Sequence, residues 1–288
     1  AAPARRRGAP ATRKFRAWIS RGEGTPRTTL QEVTLLPIKG RQVVVRTEAT
    51  NLCYFVASAV LGVRSPLPAN APPMMRAMRE KVDGMAMIQG HGGIGVVEAV
   101  GPDVRRVKPG DRVCVSGTPQ CGVCYQCLRG RSDMCQFLGP AQNPDNLTVI
   151  AQMRDGTPVY ANSEIGGLAE LMVTYEEWVV PVMSHASTAD LGTVCSCVSI
   201  AGLGATTSQG TAILPPGATT AVVGCGPLGL SAVQGARIAG ASTIIAIDPI
   251  AARRDVARRL GATFVLDPNE EGERLVRNDD WTGWAPTH

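Results

Sequence analysis

From residue 14 to about residue 182 the apolar positions come in short runs, many alternating with polar ones, and Gly and Pro separate them. That texture predicts strands over residues 15–19, 42–46, 95–100, 112–115 and 169–173, with Lys108-Pro109-Gly110-Asp111 as a turn between two of them. An all-β, barrel-like module carrying loops is expected. Two stretches depart from the pattern: residues 66–89, rich in Pro and Met, read as an irregular flank, and residues 139–167 as a long connection. After residue 186 the texture changes to small residues, with Ala189, Leu191, Val194 and Val198 at helical spacing. From Thr219 strands and helices alternate. A strand over 219–223 leads into a glycine-rich turn and a helix over 230–238, and a second strand follows over 243–247. Pro249 then opens a helix that stops at Gly261, before a third strand over 264–266. This is a βαβαβ order, so the expected fold class is α/β with an all-β portion in front.

The 288 residues, 44% of them hydrophobic and without a long apolar run, suffice for two cores and predict no membrane span. The expected domains are a disordered basic tail over 1–13, a β domain over 14–186, a dinucleotide-binding portion over 187–268 and an irregular tail over 269–288. The net charge of +5 invites a nucleic-acid reading. Arg5, Arg6, Arg7, Arg13, Lys14 and Arg16 all fall in the first sixteen residues with no acid among them, leaving the remainder near −1. The basic balance therefore belongs to the beginning of the chain and not to a binding face, and no nucleic-acid partner is expected. Nine cysteines, mostly at metal-like spacings and with no secretory apolar segment before them, make a reducing cytoplasm the expected compartment.

Four of those cysteines, Cys121, Cys124, Cys127 and Cys135, stand in one loop as C-x2-C-x2-C-x7-C. Four thiolates at this spacing can close a tetrahedron around one Zn²⁺ and leave no position for substrate, which is a structural zinc. A disulfide or redox role is the alternative; four soft ligands in one loop favour the metal. Gly224, Gly226 and Gly229 form G-x-G-x-x-G between a predicted strand and helix, and Asp248 closes the next strand 19 residues after Gly229. In that context the glycines read as a dinucleotide turn. The helix N-terminus faces a pyrophosphate, and Asp248 accepts from the adenosine ribose and repels a 2′-phosphate, favouring NAD. Arg253 and Arg254, one helical turn on, leave room for NADP or are merely solvated. Cys53, His91 and Cys197 are further candidate ligands, although a lone cysteine is usually a buried hydrophobe and a lone histidine a satisfied polar group.

Taken in order, these features resemble the zinc-dependent medium-chain alcohol dehydrogenases. The resemblance runs from about Lys14 to Pro268. It rests on Gly90-His91 with Gly93 and Gly95, Lys108-Pro109-Gly110-Asp111-Arg112-Val113, the four-cysteine loop, Gly202-Leu203-Gly204-Ala205 and the Gly224–Gly229 turn. It implies a GroES-like β-barrel domain followed by a Rossmann domain, with Cys53, His91 and Cys197 on a catalytic zinc and Cys121, Cys124, Cys127 and Cys135 on a structural one. It implies, further, hydride transfer between NAD and a small alcohol, aldehyde or ketone, in a dimer or tetramer.

Three departures qualify what the resemblance implies. Where the family places a Ser or Thr hydroxyl to begin a proton relay, this chain has Phe55, which neither donates nor accepts a proton. The common Glu after the histidine ligand is Gly92. A dinucleotide fold takes two βαβαβ halves, whereas residues beyond Pro268, including Trp281 and Trp284, show no strand or helix period. The expectation is a C-terminally truncated member with an incomplete Rossmann domain, a site for the adenosine half of NAD and an exposed sheet edge. A catalytically silent zinc protein is the alternative function, and a zinc-ribbon nucleic-acid binder a distant third.

Overall fold

The computed structural model describes residues 13–21, 27–62, 67–138, 147–182, 185–194, 197–207 and 214–270. Residues 1–12 of the predicted basic tail over 1–13, and the tail from 271 with its two tryptophans, lie outside the described residues, as does the side chain of Phe55. The chain divides into two compact units, Ala1–Cys197 and Val198–His288.

Among the described residues the first unit has ten strands: β1 (Lys14–Ser20), β2 (Thr28–Leu35), β3 (Gln42–Thr50), β4 (Ala86–Ile88), β5 (Gly93–Val100), β6 (Arg112–Val115), β7 (Val149–Gln152), β8 (Pro158–Ala161), β9 (Leu171–Tyr175) and β10 (Val179–Pro181). Five close a barrel in the order β1-β2-β7-β8-β4, and five form a sheet in the order β10-β6-β5-β3-β9. Strand β3 shows why the sequence folds this way. Side chains alternate between the faces of a strand, so Val44 joins Phe15, Ile19, Ile88 and Val159 in the barrel core, while Val43 and Val45 join Val97, Val113 and Met172 on the other face. Strand β9 does the same: Leu171 and Val173 face the barrel core and Met172 the second core. A strand buried on both faces reads as an unbroken apolar run, which is why Val43-Val44-Val45 carries no alternation.

Two expectations change here. The flank over 66–89 is not irregular: helix α2 (Pro73–Gly84) fills most of it, and β4 follows. Helix α1 (Tyr54–Val60) precedes it. The prolines misled because Pro73 sits in the first turn of α2, where the missing N–H costs nothing and the fixed φ suits the helix. The connection over 139–167 likewise contains β7 and β8, which pair antiparallel and complete the barrel. At three or four residues, β4, β7 and β8 are too short to show a period; closure and burial stabilise them, as with Ile88, Ala151 and Val159, all fully buried.

Helix α3 (Tyr125–Leu128) lies in the four-cysteine loop and α4 (Thr188–Val194) follows β10. Helix α5 (Cys197–Thr207) opens with Cys197, the last residue of the first unit. The second unit continues with β11 (Thr219–Val223), α6 (Pro227–Ile238), β12 (Thr243–Ile247), α7 (Ala251–Leu260) and β13 (Phe264–Leu266). Its three strands are parallel in the order β11-β12-β13, with Thr219 opposite Thr243 and Ala246 opposite Val265. Val222, Val233, Ala236, Ile244, Ala246 and Ala257 form its core. Helix α7 starts at Ala251, two residues after the proline predicted to open it, and stops at Gly261, whose φ of 122° only glycine adopts freely. No helix among the described residues is long and apolar enough to cross a membrane.

Candidate metal centres and cofactor site

Cys121, Cys124, Cys127 and Cys135 bring their sulfurs within 4.8 Å of one another. Four sulfurs about 2.3 Å from a common Zn²⁺ lie about 3.8 Å apart, and Cys121 Sγ to Cys127 Sγ is 3.9 Å. The local backbone favours charge on these sulfurs: the N–H of Cys124 donates to Cys121 Sγ and that of Cys127 to Cys124 Sγ. The Gln136 and Cys127 N–H groups pull Cys124 down to about 6, whereas burial pushes Cys127 up to about 12. A cation bound among the sulfurs favours the thiolate form of each. The donor set is closed and fits zinc.

The second group is assembled from three distant stretches of the first unit. Cys53 leaves β3 and caps α1, His91 lies in the crossing from β4 to β5, and Cys197 opens α5. Their ligand atoms lie within 4.8 Å of one another, with Cys53 Sγ 3.2 Å from His91 Nε2. All three are half-buried. Burial lowers the His91 pKa and so keeps the imidazole neutral, as a metal ligand must be. Burial and then the neighbouring Cys53 push Cys197 up to about 11, a value that a cation between the two sulfurs would reverse. Two sulfurs and one imidazole fit zinc and leave a fourth position for another ligand. His91 Nδ1 is buried with no hydrogen-bond partner among the described residues.

In the second unit Gly224, Gly226 and Gly229 make the turn from β11 into α6. Gly224 has φ of 92°, and a Cβ on Gly229 would lie 1.8 Å from the Gly224 carbonyl oxygen. Both positions therefore require glycine, whereas a Cβ on Gly226 meets nothing within 4 Å. Asp248 is 2% exposed. Its carboxylate accepts from the N–H of Cys225 and the N–H of Ile250, each at 2.8 Å, so it ties the glycine turn to the start of α7. Burial alone would raise its pKa, but the Ile250 and Cys225 N–H groups and then Arg253 outweigh it and hold the carboxylate below its usual range. Arg253 reaches to 3.7 Å from the Asp248 carboxylate and stays half exposed. Arg254 is not a solvated helix charge: it donates to the Asp248 carbonyl and to the Asp267 carboxylate, both at 2.7 Å.

Phe55 sits in α1, two residues past Cys53, and Gly92 follows His91. Sequence reasoning does not reach the residues that pack around His91. Thr50, Gln89, Asn162 and Gly167 have no motif, and only the Gly166-Gly167 pair hints at a close backbone approach.

A β unit with a closed four-sulfur site and an open Cys/His/Cys site, followed by a parallel βαβαβ unit with a glycine-rich turn, defines a metal- and dinucleotide-binding class of protein. Comparison with known proteins narrows this. Residues 39–184 match the alcohol dehydrogenase GroES-like domain and residues 227–283 the zinc-binding dehydrogenase model. An S-(hydroxymethyl)glutathione dehydrogenase of Escherichia coli O157:H7 is 33% identical over 264 residues, covering 89% of this chain and 65% of that protein. The one from Saccharomyces cerevisiae is 31% identical over 249 residues, covering 84% and 59%. An alcohol dehydrogenase zinc-binding domain protein from Burkholderia ambifaria, solved as a crystal structure, aligns with a TM-score of 0.74 at 28% identity, covering 95% of this chain and 69% of that one. The chain belongs to the zinc-dependent medium-chain alcohol dehydrogenase family. It spans 59% and 65% of the length of these two curated relatives.

Proposed function

We propose that this protein is a zinc-dependent oxidoreductase that interconverts an alcohol with its aldehyde or ketone by hydride transfer with NAD. The observation that carries this reading is the convergence of Cys53, His91 and Cys197, three ligands for an ion that takes four. A zinc held there supplies Lewis acidity to an alcohol or carbonyl oxygen. Cys121, Cys124, Cys127 and Cys135 hold a second, structural zinc.

The remaining chemistry belongs to the chain's own groups. Free N–H groups at the start of α6 receive the pyrophosphate, and the absence of a side chain on Gly226 lets it approach. Asp248 and Arg253 flank the adenosine ribose, where the carboxylate disfavours a 2′-phosphate and so selects NAD. Phe55 offers no hydroxyl to a departing proton. The proton leaves through water or through Tyr54, which is 86% exposed.

The names of the relatives put S-(hydroxymethyl)glutathione in the substrate panel beside primary, secondary and aromatic alcohols. Metal-loaded protein is expected to form NADH with at least one of them; no NADH formation across the panel rejects the proposal for this chain. The second reading, a zinc-binding homologue without activity, is favoured by Phe55. It predicts metal uptake with no affinity for NADH, which fluorescence titration measures. Six of the seven cysteines that are free among the described residues fall in the two donor sets, which suits a reducing, cytoplasmic setting, whereas the disulfide-bonded Cys114 does not. Homo-oligomerisation, expected from the family, is tested by light scattering.

A further inference from the structure

A histidine that ligates a metal normally has its second ring nitrogen fixed by a carboxylate, a carbonyl or water, and that contact sets the orientation of the ring. His91 lacks one among the described residues: Nδ1 is buried and unpartnered. The backbone on either side of the ring contributes to its orientation as well. That backbone is held by hydrogen bonds on both sides of His91.

On the C-terminal side, the Thr50 hydroxyl donates to the Gly92 carbonyl at 2.8 Å. Thr50 is the last residue of β3, three before Cys53, so this bond fastens the strand that delivers one candidate ligand to the segment that carries the other. On the N-terminal side, the Asn162 amide donates to the buried Gln89 side-chain oxygen at 3.1 Å, and the Leu168 N–H donates to the Gln89 carbonyl at 2.9 Å. The Gly167 N–H donates to the Gly90 carbonyl at 3.2 Å. Gly167 closes the arrangement from above, since a Cβ there would stand 2.5 Å from Thr50 Oγ1 and 2.8 Å from the Gly92 carbonyl oxygen. Gly90 matches it: its φ is 99°, and a Cβ would lie 2.9 Å from Gly167 N.

We propose that Thr50 and the Asn162–Gln89 pair form a clamp on Gly90-His91-Gly92 that positions His91 for metal. These are positioning residues: they touch neither the metal nor a substrate. The inference rests on the reading of Cys53, His91 and Cys197 as a metal centre. Its consequence is that a hydroxyl bonded to the carbonyl of the residue after His91 governs metal affinity at that centre and leaves the four-cysteine site alone.

The test uses the full chain loaded with Zn²⁺ or Co²⁺, with affinity read by competition against a chromophoric chelator and ligand geometry by the visible absorption of bound cobalt. Wild type is expected to take two metals. Thr50→Val keeps the shape of the side chain, removes the donor and is expected to retain the four-cysteine metal while losing about tenfold in affinity at the other centre, with an altered cobalt spectrum. Thr50→Ser is expected to restore both. Should Thr50→Val not fold, Gln89→Leu releases the opposite arm and is read in the same way. Wild-type affinity and spectrum in Thr50→Val, or an equal loss in Thr50→Ser, overturns the clamp. A wild type that takes only one metal overturns the functional reading and the clamp with it.

Discussion

Asp248 shows how one side chain can hold two elements of a fold at once. Each carboxylate oxygen accepts a backbone N–H, from Cys225 on one side and Ile250 on the other, in a place 2% exposed to solvent. Hydrogen bonds to a charged acceptor contribute about 1.5–3 kcal/mol each, and removing the acceptor leaves two donors unpaired. Asp248→Ala is therefore expected to cost about 3 kcal/mol in the second unit, measured by urea denaturation. Asp248→Asn, which keeps one carbonyl acceptor, should cost about half of that. If the carboxylate also repels a 2′-phosphate, both variants bind NADPH more tightly relative to NADH than wild type does. Equal ratios in all three proteins would remove Asp248 from cofactor selection while leaving its structural role intact.

At the scale of elements, the glycine turn separates two requirements that a sequence motif runs together. Gly229 cannot take a Cβ because the Gly224 carbonyl oxygen would be 1.8 Å away, whereas Gly226 can, with nothing within 4 Å and φ of −74°. Gly229→Ala is expected to destabilise the second unit by about 1–3 kcal/mol through overpacking. Gly226→Ala should leave its melting temperature unchanged and, on the proposed reading of the turn as the pyrophosphate site, weaken NADH binding. The four-cysteine lobe makes the complementary point about stability without a core. Helix α3 spans four residues, too few to persist alone, and Val123, Tyr125 and Leu128 are exposed, so the lobe's buried cluster is the cysteines themselves beside Phe137. Removing metal with a chelator should expose Arg129 and Arg131 to trypsin and make the thiols reactive, while metal-loaded protein resists both. These same elements show what was legible. Cysteine spacing, G-x-G-x-x-G and the 19-residue step to Asp248 are local patterns, and they can be read without knowing any contact. The clamp on His91 depends on Thr50 meeting Gly92 and Asn162 meeting Gln89 across 42 and 73 residues of sequence. Helix α2 was hidden by a proline that begins it, and β4, β7 and β8 by being shorter than any period.

For the whole molecule, the charges decide how stability responds to pH. Half of the basic residues in the first sixteen are spent within the β unit: Arg13 pairs with Glu98, Lys14 with Glu32 at 2.9 Å and Arg16 with Glu170 at 2.8 Å. These pairs are exposed and contribute little. Two buried acids behave oppositely. Burial would raise Glu176, but the N–H groups of Arg105 and Arg106 and the Arg41 guanidinium lower it below the usual carboxylate range. Glu164 is raised, chiefly by burial, which its bond from the Thr148 N–H only partly offsets. A lowered folded pKa gives stability that is present above the unfolded value of about 4.3 and disappears as pH falls through the folded value. A raised one gives stability present below about 4.3 and lost as pH rises through the folded value. Glu176→Gln is therefore expected to be less stable than wild type at pH 7 and to converge with it in acid, where both side chains are neutral. Glu164→Gln should match wild type in acid and equal or exceed it at pH 7, because the amide removes a buried carboxyl that resists ionising. Thermal denaturation of the three proteins from pH 3 to pH 8 measures both differences. A Glu176→Gln deficit that persists undiminished in acid would show that Glu176 acts through packing and not through its charge.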